Sequence, residues 1–133
     1  MKGSCLCGKI QFEIQALLPD LANCHCSMCQ KFHGAAYATY GTVTPENFKW
    51  LAGEAMIKTY VSSATAERGF CSHCGSSIYY KLRKEGSGYE IALGVLDDEP
   101  NYPVNANIYW SAKPNWSKGM ENLPNFSEAR PGD

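Results

Sequence analysis

The placement of cysteine constrains this chain more than any other feature. All seven cysteines fall in three short clusters, Cys5-Leu6-Cys7-Gly8, Cys24-His25-Cys26-Ser27-Met28-Cys29 and Cys71-Ser72-His73-Cys74-Gly75. Disulfides fit this pattern poorly. The count is odd, and cysteines one or two residues apart rarely suit a bridge to each other. The start Met1-Lys2-Gly3-Ser4 carries no apolar export signal, so the expected compartment is the reducing cytoplasm. A thiol-redox site would use Cys71 and Cys74 alone and would open a helix after a strand. The flanks, residues 66–70 and 76–80, read as strands on both sides instead.

Metal ligation accounts for all seven thiols. Zinc takes four soft ligands in a tetrahedron. A C-x-x-C turn followed by Gly aims both sulfurs the same way, and Gly accepts the positive φ that the turn's exit needs. Cys71-x-x-Cys74-Gly75 fits this knuckle, and Cys5-x-Cys7-Gly8 is a tighter version. Together they supply four sulfurs and close one structural site. Cys24, Cys26 and Cys29 then fill three corners of a second tetrahedron, and no cysteine remains for the fourth. An open corner is what separates catalytic from structural zinc. Two zinc ions per chain are expected, with a rubredoxin-like iron in the four-cysteine site as the alternative. His25, His33 and His73 are candidates to close the open corner. Each also reads as a solvent-facing or hydrogen-bonded ring, and His33 is the strongest rival because an extended chain points His25 away from its flanking ligands.

A length of 133 residues allows one domain with a modest core. Seven thiolates on two divalent ions would take the formal charge of −1 to about −4. That charge and the lack of a Lys/Arg run argue against nucleic acid as a partner. No apolar run approaches the ~18 residues of a membrane span. Residues 9–15 alternate, with Ile10, Phe12 and Ile14 on one face of a strand. Residues 34–40, 48–51, 55–61, 66–70, 77–82, 89–96 and 105–110 read as further strands. Thr44 and Pro45 open a short helical turn, and residues 85–88 form a hairpin turn. With almost no helical periodicity, the expectation is an all-β fold of packed short antiparallel sheets, spanning residues 1–126, with a frayed tail at 127–133.

The motifs Ser4-Cys5-Leu6-Cys7-Gly8, Cys24-His25-Cys26-Ser27-Met28-Cys29-Gln30-Lys31, Gly34-Ala35 and Arg68-Gly69-Phe70-Cys71-Ser72-His73-Cys74-Gly75-Ser76 resemble the glutathione-dependent formaldehyde-activating enzyme family, whose domain also occurs in centromere protein V. The likeness extends through Gly94-Val95-Leu96-Asp97 and Lys113-Pro114-Asn115-Trp116 to Leu123-Pro124-Asn125-Phe126. It implies a β-tent fold with a zinc-ribbon-like structural zinc on Cys5, Cys7, Cys71 and Cys74. It implies a catalytic zinc on Cys24, Cys26 and Cys29. The chain departs from the family in reading Asn107-Ile108-Tyr109 where members often carry His before the hydrophobic pair of the last strand.

The implied activity is that of a carbon–sulfur lyase, joining glutathione and formaldehyde to S-(hydroxymethyl)glutathione or forming a related small thiol–aldehyde adduct. Lys31 and Arg68, adjacent to the two metal clusters, are the candidate anchors for the carboxylates of glutathione; each also reads as a solvated charge or a counter-charge to the thiolates. Trp50, Trp110 and Trp116 could wall a pocket, although core packing is expected for at least two of them. Ser62-Ser63 offers hydroxyls or simply a turn. The alternative class is a zinc-stabilised binding or scaffold module without turnover.

Overall fold

Period-two alternation organises the first sheet, and Ile10, Phe12 and Ile14 are all fully buried on one side of it. In this computed structural model, which describes residues 1–132, the elements run β1 (Lys2–Ser4), β2 (Gln11–Ile14), β3 (Leu21–Cys24), α1 (Ser27–His33), β4 (Ala38–Val43), β5 (Phe48–Ala52), β6 (Ile57–Val61), β7 (Ala66–Cys71), β8 (Ser77–Leu82), β9 (Tyr89–Ala92) and β10 (Val104–Ile108). They form a three-stranded sheet in the order β1-β2-β5 and a seven-stranded sheet in the order β10-β3-β4-β9-β8-β7-β6.

The core lies between the sheets. Phe12 and Ile14 from the small sheet meet Leu21, Val43, Ile78 and Ile91 from the large one. Each fully buried apolar side chain of this size contributes about 1.5–3 kcal/mol. Phe48, Trp50, Tyr79 and Tyr89 edge this core, with Phe48 and Tyr89 ring centroids 4.5 Å apart and Tyr79 and Tyr89 4.8 Å apart. Tyr79 needs Gly69 opposite it, because a Cβ there would sit 2.2 Å from its ring.

The all-β expectation holds, with four corrections. Among the described residues there is one α-helix, α1, at the central cysteine cluster, where no helix was expected; Gly34, in the left-handed conformation, ends it, so residues 34–37 are not strand. The pairing of β10 with β3 is parallel, although every other neighbouring pair is antiparallel. That pairing is long-range, and no local pattern announces it. The strand expected over 89–96 ends at Ala92 and gives way to a 3-10 turn at Leu93–Val95. The one expected over 105–110 ends at Ile108, because Tyr109 turns the chain with a φ of 52°. Residues 123–132 are exposed and carry no strand or helix; Asp133, the end of the expected tail, lies outside the described residues. No helix among the described residues is long and apolar enough to cross a membrane.

Candidate functional site

The two knuckles, with Cys7 and Cys71 separated by 64 residues of sequence, meet in space. The Gly8 N–H donates to the Cys5 carbonyl at 2.9 Å, and the Gly75 N–H to the Cys71 carbonyl at 2.8 Å. Both glycines have positive φ, 75° and 79°, the conformation a tight sulfur-presenting turn demands. Backbone N–H groups also point at sulfur, from Ile10 to Cys5 Sγ at 3.3 Å and from Cys74 to Cys71 Sγ at 3.5 Å. All four sulfurs, of Cys5, Cys7, Cys71 and Cys74, lie within 4.8 Å of one another. Cys5 and Cys7 sulfurs are 3.4 Å apart, and those of Cys7 and Cys71 are 3.9 Å apart. A disulfide would need about 2.05 Å. A tetrahedron with zinc–sulfur bonds of about 2.3 Å puts its corners about 3.8 Å apart. The donor set therefore fits a tetrahedral soft-metal site. The Ser76 hydroxyl, 3.2 Å from the Cys74 sulfur, is the chief cause that holds this half-buried thiol down to about 5.

The second cluster is built by the junction of β3 and α1. Cys24 ends the strand, Cys26 is the residue that caps the helix, and Cys29 lies in its first turn. The Cys29 N–H donates to Cys26 Sγ at 3.3 Å, an arrangement in which a cysteine replaces the usual Ser or Asp cap. The three sulfurs lie within 4.8 Å of one another. Burial pushes the Cys24 thiol up to about 12 and Cys29 up as well. Burial also opposes the Cys26 thiolate, but the Cys29 N–H and the other two thiols outweigh it and pull Cys26 down. On their own, the three thiols thus favour ionisation at Cys26 over the other two. A divalent cation would reverse that by stabilising all three thiolates, so the donor chemistry fits a thiolate-bound metal.

No histidine joins either cluster among the described residues. His25, buried at 3% exposure, lies between the rings of Tyr37 and Trp110, with Nδ1 3.2 Å from the Asn23 carbonyl. His33 Nε2 is committed to the Tyr40 hydroxyl at 2.6 Å, and burial lowers its pKa to about 4. His73 is exposed on its knuckle. Asn107 pairs with Asn23 Nδ2 at 3.1 Å and lines a different cavity, with His25, rather than the one at the sulfur trio.

A cavity of about 330 Å³ opens over Cys24, Cys26 and Cys29. Sheet register assembles its wall. Arg68 of β7 opposes Tyr80 of β8, Tyr80 opposes Glu90 of β9, and Glu90 opposes Thr42 of β4. Tyr40, Asp20, Met28, Ile108 and Tyr109 complete the lining. Arg68 is only 3% exposed. One guanidinium nitrogen, Nη1, lies 3.5 Å from both Cys29 Sγ and the Tyr40 oxygen. The group is flanked by the rings of Phe32 at 5.6 Å and Tyr80 at 5.2 Å. Its Nε is buried with no hydrogen-bond partner. The Glu90 carboxylate accepts from the Thr42 hydroxyl at 2.9 and 3.0 Å, and burial raises its pKa.

Of the two expected anchors, Arg68 is at this cavity and Lys31 is not; Lys31 is exposed on α1. Only Trp50 packs against the core, whereas Trp110 lies against His25 and Trp116 is 69% exposed, so core packing claims one tryptophan rather than two. Ser62 and Ser63 form a turn whose N–H groups both reach the Ala66 carbonyl. Asp20, Tyr40, Tyr80, Glu90 and Tyr109 were not singled out from the sequence. Tyr40, Tyr80 and Glu90 meet through register across a long-range sheet, and Asp20 and Tyr109 flank its strands β3 and β10; neither leaves a mark on local composition.

Residues 1–112 match the family model described as glutathione-dependent formaldehyde-activating enzyme. An uncharacterized lyase of Schizosaccharomyces pombe is 25% identical over 85% of this chain and 80% of its own length. Two fungal proteins provisionally named glutathione-dependent formaldehyde-activating enzyme, from Podospora anserina and Fusarium vanettenii, are 31% and 30% identical over 64% and 61% of this chain. The match spans only 41% and 45% of their lengths. A crystal structure of a Rhodobacter sphaeroides protein superposes with a TM-score of 0.65 at 25% identity, covering 80% of this chain and 99% of that one.

Proposed function

The chain belongs to the glutathione-dependent formaldehyde-activating enzyme family, and from that premise we propose that it is a cytoplasmic, zinc-dependent carbon–sulfur lyase acting on the adduct of a small thiol and formaldehyde. In this reading Cys5, Cys7, Cys71 and Cys74 hold a structural zinc, and Cys24, Cys26 and Cys29 hold a catalytic one. Glutathione is the thiol that the family's name indicates. The observation that carries the reading is the unequal division of thiols: four close a cage, while three face a cavity with no fourth protein ligand among the described residues.

Zinc on the trio would supply a binding point for the incoming thiol and favour its ionised form. The reaction forms one carbon–sulfur bond, opens the carbonyl π bond of formaldehyde, and moves the thiol proton to the new hydroxyl oxygen. Run backwards, it is lyase chemistry. The side chains of this chain have two tasks. Met28, Ile108 and Tyr109 wall the cavity and hold both reactants together, since positioning supplies several kcal/mol to a reaction of this kind. Arg68 offers the Nε–H that lacks a partner to the oxygen on which negative charge develops.

The test is twofold. Metal analysis should find two zinc ions per chain and one in Cys26→Ser. Exchange spectroscopy of glutathione with formaldehyde should quicken with the native protein and not with Cys26→Ser. A rate equal to buffer, with both metals bound, would leave a zinc-stabilised binding module in its place.

A further inference from the structure

The charge around the sulfur trio favours a cation over a carboxylate. Glutathione carries two carboxylates against one ammonium group, and the cavity lining has one cation, Arg68. That guanidinium is already turned to Cys29 and Tyr40 between two aromatic rings. The remaining charged side chains of the lining are Asp20 and Glu90, both acidic. Three thiolates around a divalent ion add a further net negative charge, and a bound thiolate would add another. In so enclosed a space these charges act at reduced dielectric. A carboxylate on the substrate meets repulsion there, and a positive group meets attraction.

Resting on the thiol reading above, we propose that the cavity selects an aminothiol, a small thiol with a positively charged amine near its sulfur, and discriminates against thiols bearing carboxylates. The sulfur sits at the cysteine trio and the ammonium group faces Glu90 and Asp20. Glu90 is fixed for this by the Thr42 hydroxyl, which occupies only part of the carboxylate's accepting capacity. Asp20, on the exposed side of the cavity, makes only a long 3.5 Å contact with Asn105 Nδ2.

The test uses the full chain loaded with cobalt and three probes of matched length: cysteamine, 2-mercaptoethanol and 3-mercaptopropionate. Glutathione is run beside them. Each is titrated while the ligand-field bands of the three-cysteine site are followed; the four-cysteine site has no free corner and stays silent. Cysteamine should bind about tenfold more tightly than 3-mercaptopropionate, the worth of one charge-assisted contact. Glutathione should bind more weakly than cysteamine. The double variant Asp20→Asn with Glu90→Gln should bring the probes within about threefold of one another, and added salt should narrow the gap in the native chain by screening. Tighter binding of 3-mercaptopropionate or glutathione, or a cysteamine preference that survives both the double variant and salt, overturns the charge assignment and leaves the thiol site standing. Bands that no thiol alters overturn the thiol reading itself, and this inference with it.

Discussion

Replacing Arg68 by Met should change sign with metal loading. Arg68 Nη1 lies 3.5 Å from Cys29 Sγ in a side chain 3% exposed. Opposite unit charges about 4 Å apart interact by about 4 kcal/mol at an effective dielectric near 20. Here one charge is spread over three sulfurs and the other over a guanidinium, so about half of that, some 2 kcal/mol, is a fair figure. That corresponds to roughly 30-fold in metal affinity at the three-cysteine site. The metal-free chain differs, because its trio bears less charge and the guanidinium keeps its contacts with Cys29, Tyr40 and the Phe32 and Tyr80 rings. Methionine keeps contact with those rings and sheds the cost of burying a charge. The metal-free variant should therefore melt no lower than the native chain, while the loaded variant melts lower. A chelator competition followed through cobalt absorption reads the affinity, with the four-cysteine site as internal reference. An affinity within about threefold of native, or equal destabilisation with and without metal, would refute the electrostatic reasoning.

Ile78→Ala should cost about 2–5 kcal/mol in denaturant unfolding, since Ile78 is fully buried between the sheets. Cys71→Ser should lose the structural metal and leave the three-cysteine site able to bind. Hydrogen exchange should then show β1 and β2 protected no better than in chelator-treated native protein. The pH response has a definite sign: the folded His33 pKa of about 4 lies below the ordinary 6.5, so the unfolded state binds the proton first. The His33 contribution is intact above pH 6.5 and is lost as pH falls from there toward 4. Comparing His33→Gln with the native chain over that range should show a shallower acid decline in the variant, and identical slopes would contradict it.

The sulfur clusters and the alternating strand were readable because each rests on local chemistry. Two cysteines and a glycine define a knuckle within five residues, and Ile10, Phe12 and Ile14 define a buried face by spacing alone. The helix was hidden because its seven residues are too few for an apolar stripe to repeat. Its signal was present all the same: Cys26 and Cys29 stand one turn apart, and Gly34 ends the helix. The cavity wall was beyond reach for a different reason. Arg68, Tyr80, Glu90 and Thr42 become neighbours only through the pairing of four strands. Arg68 could be noticed beside its knuckle, but its role depends on Tyr40 and Cys29, 28 and 39 residues away.

The four-cysteine cage ties together thiols that are made at different times. The sulfurs of Cys7 and Cys71 touch across 64 residues of chain. During synthesis the first pair leaves the ribosome long before its partners exist, and two thiols alone hold a metal ion weakly. The opening strands can pair with β5 before the β7–β8 hairpin emerges, but the cage itself cannot close until then. A chain stalled before Cys71 would present two thiols without their cage partners to whatever oxidant or chaperone reaches it first.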